Sequence, residues 1–215
     1  MPPSPLAVPH PGGRRDPAAE PVKPFAVVAL AASVGGLRAL RAILSALPVD
    51  LPAAVLVVQH REPRRSGALL TALLGASTLL PVVEAAAGMR MEAGRVYLAP
   101  PDRHLELRED GTLALSDAPR EHHSRPSADV LFRSLAAAYG PRAIAVVLTG
   151  RLDDGSGGVG AVKAGGGRVI AQDRHSSYDF SMPRSAIRTG TVDRVLPLEE
   201  IAPYLVRLLA AESAA

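Results

Sequence analysis

Several stretches of this chain are apolar from end to end instead of alternating: "FAVVAL" from Phe25, "AAVLVVQH" over Ala53–His60, "RAIAVVL" from Arg142 and "GRVIAQD" from Gly167. A strand with one wet face alternates polar and apolar residues; one that does not must be covered on both faces, as in a parallel sheet sandwiched between helices. Longer amphipathic segments separate these runs, the pattern of βα units. The expected fold class is therefore α/β: a largely parallel, doubly wound, Rossmann-like sandwich. Its 215 residues suit one domain with a sizeable core. With aromatics at 3%, that core must be made of Val, Leu, Ile and Ala, and stacking on nucleic-acid bases has little to work with.

The order of elements follows from local signals. After "FAVVAL" a helix is expected over 35–46, and after "AAVLVVQH" another over 66–74; "LPVVEA" and "GRVYLAP" read as two short strands, the second stopped by a Pro-Pro pair. Between Arg103 and Ser116 apolar residues alternate on either side of Asp110-Gly111, which predicts an inserted β-hairpin with a two-residue turn. A polar loop, "DAPREHHSRPS", leads into a helix with Ser127 as N-cap and Gly140 as its stop. The strand "RAIAVVLTG", a Gly-rich turn and helix, the strand "GRVIAQD", a short helix "PRSAIRTG", a strand "VDRVL" and a helix over 198–211 complete the chain.

Residues 1–23 contain seven prolines and no apolar periodicity, and read as a disordered tail ahead of a folded domain over 24–211. Arg14 and Arg15 precede "FAVVALAA" in a way that resembles a signal peptide, but Asp16, Glu20 and several prolines intervene. No run reaches membrane-spanning length, so membrane insertion is not expected. There is no cysteine, which excludes disulfides and thiolate chemistry and is compatible with a cytoplasmic location. The net charge of +3 suits an anionic partner but lacks a dense basic block, so an acidic protein surface is as good a candidate as nucleic acid.

In open α/β sheets ligands bind beyond the carboxyl ends of the strands. Three such ends carry capable side chains: Ser33, His60, and the pair Asp153 and Asp154. Nucleophile, base and orienting acid delivered to one sheet edge would make a hydrolytic triad, whatever their chain order. Each has a plainer reading. Ser33 or an aspartate could cap the next helix, and His60 could simply be a polar residue leaving a strand.

Two rivals compete for the chain. "GSGGVG" over Gly155–Gly160 satisfies G-x-G-x-x-G, with Asp173 near the place of a ribose-binding acid, as in a nucleotide-binding oxidoreductase. The turn before it is long, however, and two carboxylates would repel a pyrophosphate from the helix N-terminus. His122 and His123 could suggest a metal, but adjacent histidines in a polar loop point apart and read as solvated. No metal and no cofactor is expected. Arg61, Arg64, Arg65, Arg103, Arg120, Arg125 and Arg184 read individually as solvated charges, but several fall in loops expected near the sheet edge and could form a positive rim.

Seven blocks, "AASVGG", "VVQH", "LAPPDRHLEL", "RPSADVLFRSLA", "VLTGRLDDGSGG", "VIAQD" and "FSMPRSAI", resemble in order the catalytic domain of the chemoreceptor glutamate methylesterases, the CheB family, across about residues 25–205. The resemblance implies an α/β serine hydrolase in which Ser33 is the nucleophile, His60 the base and Asp154, rather than Asp153, the acid. It further implies an oxyanion hole from backbone amides, with Val34 and Arg151 as candidates. It implies protein-glutamate methylesterase activity on the cytoplasmic helices of methylated chemoreceptors, with glutamine deamidation as a second activity. The family commonly reads "AST" and "TGM" where this chain has Val34 and Arg151, so a catalytically impaired receptor-binding module is the alternative. Family enzymes often carry a receiver domain, for which 23 Pro-rich residues have no room; the resemblance leads to the expectation of a stand-alone catalytic domain, with a separate response regulator as a candidate partner.

Overall fold

The computed structural model describes residues 25–61 and 67–213. The expected tail over residues 1–23, Arg64 and Arg65 lie outside them. Seven parallel strands form one sheet in the order β3-β4-β2-β1-β7-β8-β9. These are β1 (Ala26–Ala32), β2 (Ala53–Gln59), β3 (Val82–Glu84), β4 (Val96–Leu98), β7 (Ala143–Val147), β8 (Arg168–Gln172) and β9 (Arg194–Leu196), while β5 (His104–Leu107) and β6 (Leu113–Ser116) form a separate antiparallel pair. The chain leaves β1 toward β2 on one side and later returns to β7 on the other. The reversal in strand order falls at β1/β7, where such sheets open a crevice.

All seven residues of β1 are buried, as its unbroken apolar run requires. The pleat sends Val27, Ala29 and Ala31 to one face and Val28, Leu30 and Ala32 to the other, so the core has two layers. One layer packs α3 (Ala128–Tyr139), α4 (Gly158–Ala164) and α5 (Ser181–Arg188) through Phe132, Leu131, Val159 and Met182. The other packs α1 (Gly36–Ser45), α2 (Gly67–Gly75) and α6 (Leu198–Ser213) through Leu40, Ile43, Leu44, Leu74, Ile201 and Leu205. Alanines dominate the strand positions under α3, leaving room for the ring of Phe132.

The hairpin departs from expectation in one detail. Its connection is a three-residue loop, Glu109-Asp110-Gly111: Arg108 and Thr112 still pair, the Gly111 amide donates to Arg108 O, and Gly111 adopts φ +77°. A tight turn followed by a left-handed glycine accommodates the strand twist where a two-residue turn would need φ > 0 twice. Asp110 holds it by accepting from the amide and hydroxyl of Thr112.

The glycine-rich segment serves helix packing. A Cβ on Gly158 would lie 2.7 Å from the Phe132 Cβ and 3.0 Å from Asp129 O, so only glycine lets α4 approach α3 this closely. The Gly158 amide already donates to the Asp129 carboxylate at 2.5 Å. An acidic side chain thus occupies the helix end that a pyrophosphate would need, and the nucleotide reading fails on that ground. We expect Gly158→Ala to destabilise the fold by about 1–3 kcal/mol in urea denaturation, because overpacking outweighs the ~1 kcal/mol that alanine gains in a helix.

Candidate functional site

The register of β1 and β2 ends with Ala32 opposite Gln59, and the His60 amide donates to Ala32 O at 2.9 Å. Ser33 and His60 are therefore the first residues beyond two neighbouring strands, which run about 4.8 Å apart. On the other flank the Ser33 amide donates to Thr149 O at 3.0 Å, so Ser33 is held from both sides at the crevice. Its carbonyl accepts from the Gly36 amide and from Gln59 Nε2 at 2.8 Å. The Thr149 hydroxyl donates to Val34 O at 2.9 Å and accepts from the Asp179 amide, tying the turn after β1 to the loop before α5. A Cβ on Gly150 would meet Ser33 Cβ at 2.7 Å, so glycine is required there for the close approach.

Ser33 is not a helix cap. The N-cap of α1 is Gly35, in the left-handed region at φ +80° with no side-chain cap. That conformation carries the chain out of the strand and leaves Ser33 in the turn, its hydroxyl without a hydrogen-bond partner among the described residues. Asp154 does not cap the following helix either, since α4 begins with Gly157 as N-cap.

Asp154 instead sits, 1% exposed, at the N-terminus of α3. Its Oδ2 accepts from His60 Nε2 at 2.6 Å and the Ala128 amide at 2.7 Å; its Oδ1 accepts from Ser127 Oγ at 2.7 Å and the Asp129 amide at 3.1 Å. Burial pushes its pKa up, but His60, the Ala128 amide and Ser127 outweigh burial and hold it below the ordinary carboxylate range. The positive end of α3 acts in the same direction. Because Nε2 of His60 faces Asp154, Nδ1 is the nitrogen left for Ser33, and Ser33 and His60 line one cleft of about 370 Å³.

Asp153 faces elsewhere, accepting from His122 Nδ1 at 2.9 Å. His122 is thus not the freely solvated loop residue the sequence suggested: its Nε2 lies 3.2 Å from Oδ2 of the buried Asp129. Burial and the nearby charge of Asp154 raise the Asp129 pKa, against the pull of the Gly158 amide and of His122. His123 lines the cleft, and no cluster suited to a metal occurs among the described residues. The amides of Val34 and Arg151 donate to no acceptor among the described residues, and the Arg151 side chain, 73% exposed, turns outward to Asp179.

Of the expected arginine rim, Arg61, Arg120 and Arg125 line the cleft. Arg125 and Arg120 both pair with Asp102, Arg103 pairs with Asp117, and Arg184 is an exposed residue of α5. Sequence reasoning missed Gln59, Thr149, Ser127 and Asp129 as supports. It also missed the fully buried His104, which accepts from the Ser127 amide at Nδ1 and contacts Pro119 O through Nε2. Only their place beside the strand ends, or in the block before α3, could have marked them.

His122 yields a pH-dependent expectation. Burial lowers its pKa, but Asp153, Asp129 and Asp154 together raise it above the ordinary histidine value. A raised folded-state pKa contributes stability that is fully present below about pH 6.5 and fades as pH rises through the folded value. The stability gap between wild type and His122→Ala should therefore be widest below about pH 6.5 and close at alkaline pH, measured by chemical denaturation across pH.

The CheB methylesterase family model matches residues 28–205. The chain is 43% identical over 190 residues to a protein-glutamate methylesterase/protein-glutamine glutaminase of Methanosarcina mazei, covering 85% of this chain and 52% of that protein. It is 41% identical over 204 residues to one of Koribacter versatilis, covering 94% of this chain and 55% of that protein. The chain thus spans about half the length of these curated relatives. The crystal structure of the Thermotoga maritima CheB methylesterase catalytic domain superposes with a TM-score of 0.82 at 37% identity, covering 86% of this chain and 98% of that one. The chain belongs to the CheB methylesterase family.

Proposed function

We propose that this domain is a protein-glutamate methylesterase that hydrolyses glutamate methyl esters through Ser33, His60 and Asp154. The observation that carries the reading is the 2.6 Å contact of His60 with a buried, four-times-bonded Asp154 at the sheet edge where Ser33 stands. Such an anchor keeps the imidazole in one tautomer, protonated at Nε2 and basic at Nδ1, and stabilises the cation once a second proton arrives. The relatives named methylesterase and glutaminase support the same chemistry.

In this reading His60 Nδ1 takes the Ser33 proton as Oγ attacks the ester carbonyl. The tetrahedral oxyanion forms beside the free amides of Val34 and Arg151, donors that need no reorganisation. Collapse breaks the carbonyl–methoxy bond; the methoxy oxygen takes the proton from His60 and leaves as methanol. Water, deprotonated by His60, then attacks the acyl-Ser33 ester and releases the glutamate carboxyl and Ser33. With a glutamine side chain the same steps release ammonia. The outward turn of Arg151 toward Asp179 weighs against an impaired binding module, because it leaves the backbone donor uncovered.

The substrate in this reading is a methylated chemoreceptor or a related signalling protein, met at its cytoplasmic helices, with a separate response regulator as the candidate controller. Among the described residues no helix is long and apolar enough to cross a membrane.

Methanol release from methylated receptor is the test. Ser33→Ala should lower it by about a thousandfold or more, leaving the residue that oxyanion donors and binding supply. Asp154→Asn should lower it by about 10⁴-fold through the wrong tautomer, read where circular dichroism shows the variant folded. Wild-type protein that releases no methanol from any methylated receptor would overturn the reading.

A further inference from the structure

A second depression meets the cleft at Ser33. It encloses about 720 Å³ and is lined by Arg38, Arg41, Ala42 and Ser45 of α1 together with Gln59 and Ser77. The α1 residues are exposed and fall at i, i+3, i+4 and i+7, one continuous stripe of the helix surface. Small residues at 42 and 45 keep the floor open between the two arginines and the far end.

The charge of this groove is unbalanced. No Asp or Glu occurs among its described lining residues, and α1 has no acidic residue in its first turn. Arg38 makes no hydrogen bond or ion pair among the described residues. Arg41 is steadied by donating from Nε to Ser77 Oγ at 2.7 Å, a neutral partner that leaves its charge unspent. In the other cleft, by comparison, Arg120 and Arg125 share the single carboxylate of Asp102. On the α1 side of the nucleophile neither arginine has an acidic partner among the described residues.

The spacing also speaks to the shape of the partner. With a helical rise of 1.5 Å per residue, Arg38 and Arg41 stand about 3 and about 7.5 Å beyond Gly36, before side-chain reach is added. Carboxylates one and two turns from a reacting side chain, on the same face of a helix, lie about 5.4 Å apart along its axis, close to the about 4.5 Å between Arg38 and Arg41. At the mouth Tyr178 lies against Gly35 and is 80% exposed, offering a flat apolar surface beside the charges. We propose that this groove receives an acidic helical segment of the substrate protein, pairing Arg38 and Arg41 with carboxylates one and two turns from the glutamate that enters the cleft. The assignment rests on the methylesterase reading for what enters the cleft, but the docking can be measured without catalysis.

The test uses fluorescently labelled helical peptides with one glutamate methyl ester and, one and two turns away on either side, Glu, Gln or Lys. Binding is followed by anisotropy on the Ser33→Ala protein, which does not turn the peptide over. The Glu peptide should bind at least about fivefold tighter than the Gln peptide, and the preference should shrink as salt screens it. Arg38→Glu with Arg41→Glu should abolish or invert the preference, so that the Lys peptide becomes the better ligand. Both residues are exposed, and the double variant should unfold at the same denaturant concentration as its parent. Equal affinity for Glu and Gln peptides, or a preference unchanged by the double charge reversal, would overturn the docking assignment. Loss of ester hydrolysis in wild type would count against the methylesterase reading alone, because the binding comparison stands without it.

Discussion

The carboxylate of Asp154 joins the fold to the site. One buried group terminates α3 by accepting from Ser127, Ala128 and Asp129, and with the same oxygens grips His60. A buried charge is tolerated only when its lone pairs are filled, and here the donors come from a helix end that needs an acceptor. The arrangement is reciprocal, because Asp129 in the first turn of α3 in turn satisfies the Gly158 amide that opens α4. Two helices are thus stitched by two acids, and the glycines that let them approach are part of the same joint.

Ser33 depends on the joint indirectly. Its backbone is fixed by Thr149 on one side and Gln59 on the other, while its hydroxyl is left unspent. Among the described residues, buried polar atoms without hydrogen-bond partners include Gln59 Oε1, Arg61 Nε and Nη1, and Asp129 Oδ2, which has the longer ion pair to His122. Each such atom costs on the order of 1–3 kcal/mol, a cost that proteins concentrate at functional edges rather than in structural cores. The surrounding arginines divide into those spent on Asp102 and Asp117, which hold the loop before α3, and those left facing the crevice.

Much of the layout was legible in the residues. Unalternated runs predicted strands buried on both faces, and β1, β2 and β7 are. Ser127 caps α3 as its position suggested. The hairpin was recognisable, but its loop length was not, because Asp110-Gly111 serves a two-residue turn and a three-residue turn with a glycine bulge equally well. The capping roles of the acids were misplaced for a related reason. Sequence proximity favours the next helix, whereas Asp154 reaches back to α3 across 26 residues of chain.

Local chemistry alone therefore determined the α/β class, the strand ends that would carry reactive groups, and the candidacy of Ser33, His60 and the pair Asp153 and Asp154, since periodicity and turn residues act over a few positions. Only the tertiary structure decided which aspartate meets His60, which ring nitrogen is left for Ser33, that His122 clamps Asp129 to Asp153, and that α1 turns toward the groove two arginines with no acidic partner among the described residues. Those choices depend on contacts between segments far apart in the chain, where helix ends, strand register and buried charge must be satisfied together. No short window of sequence contains both partners.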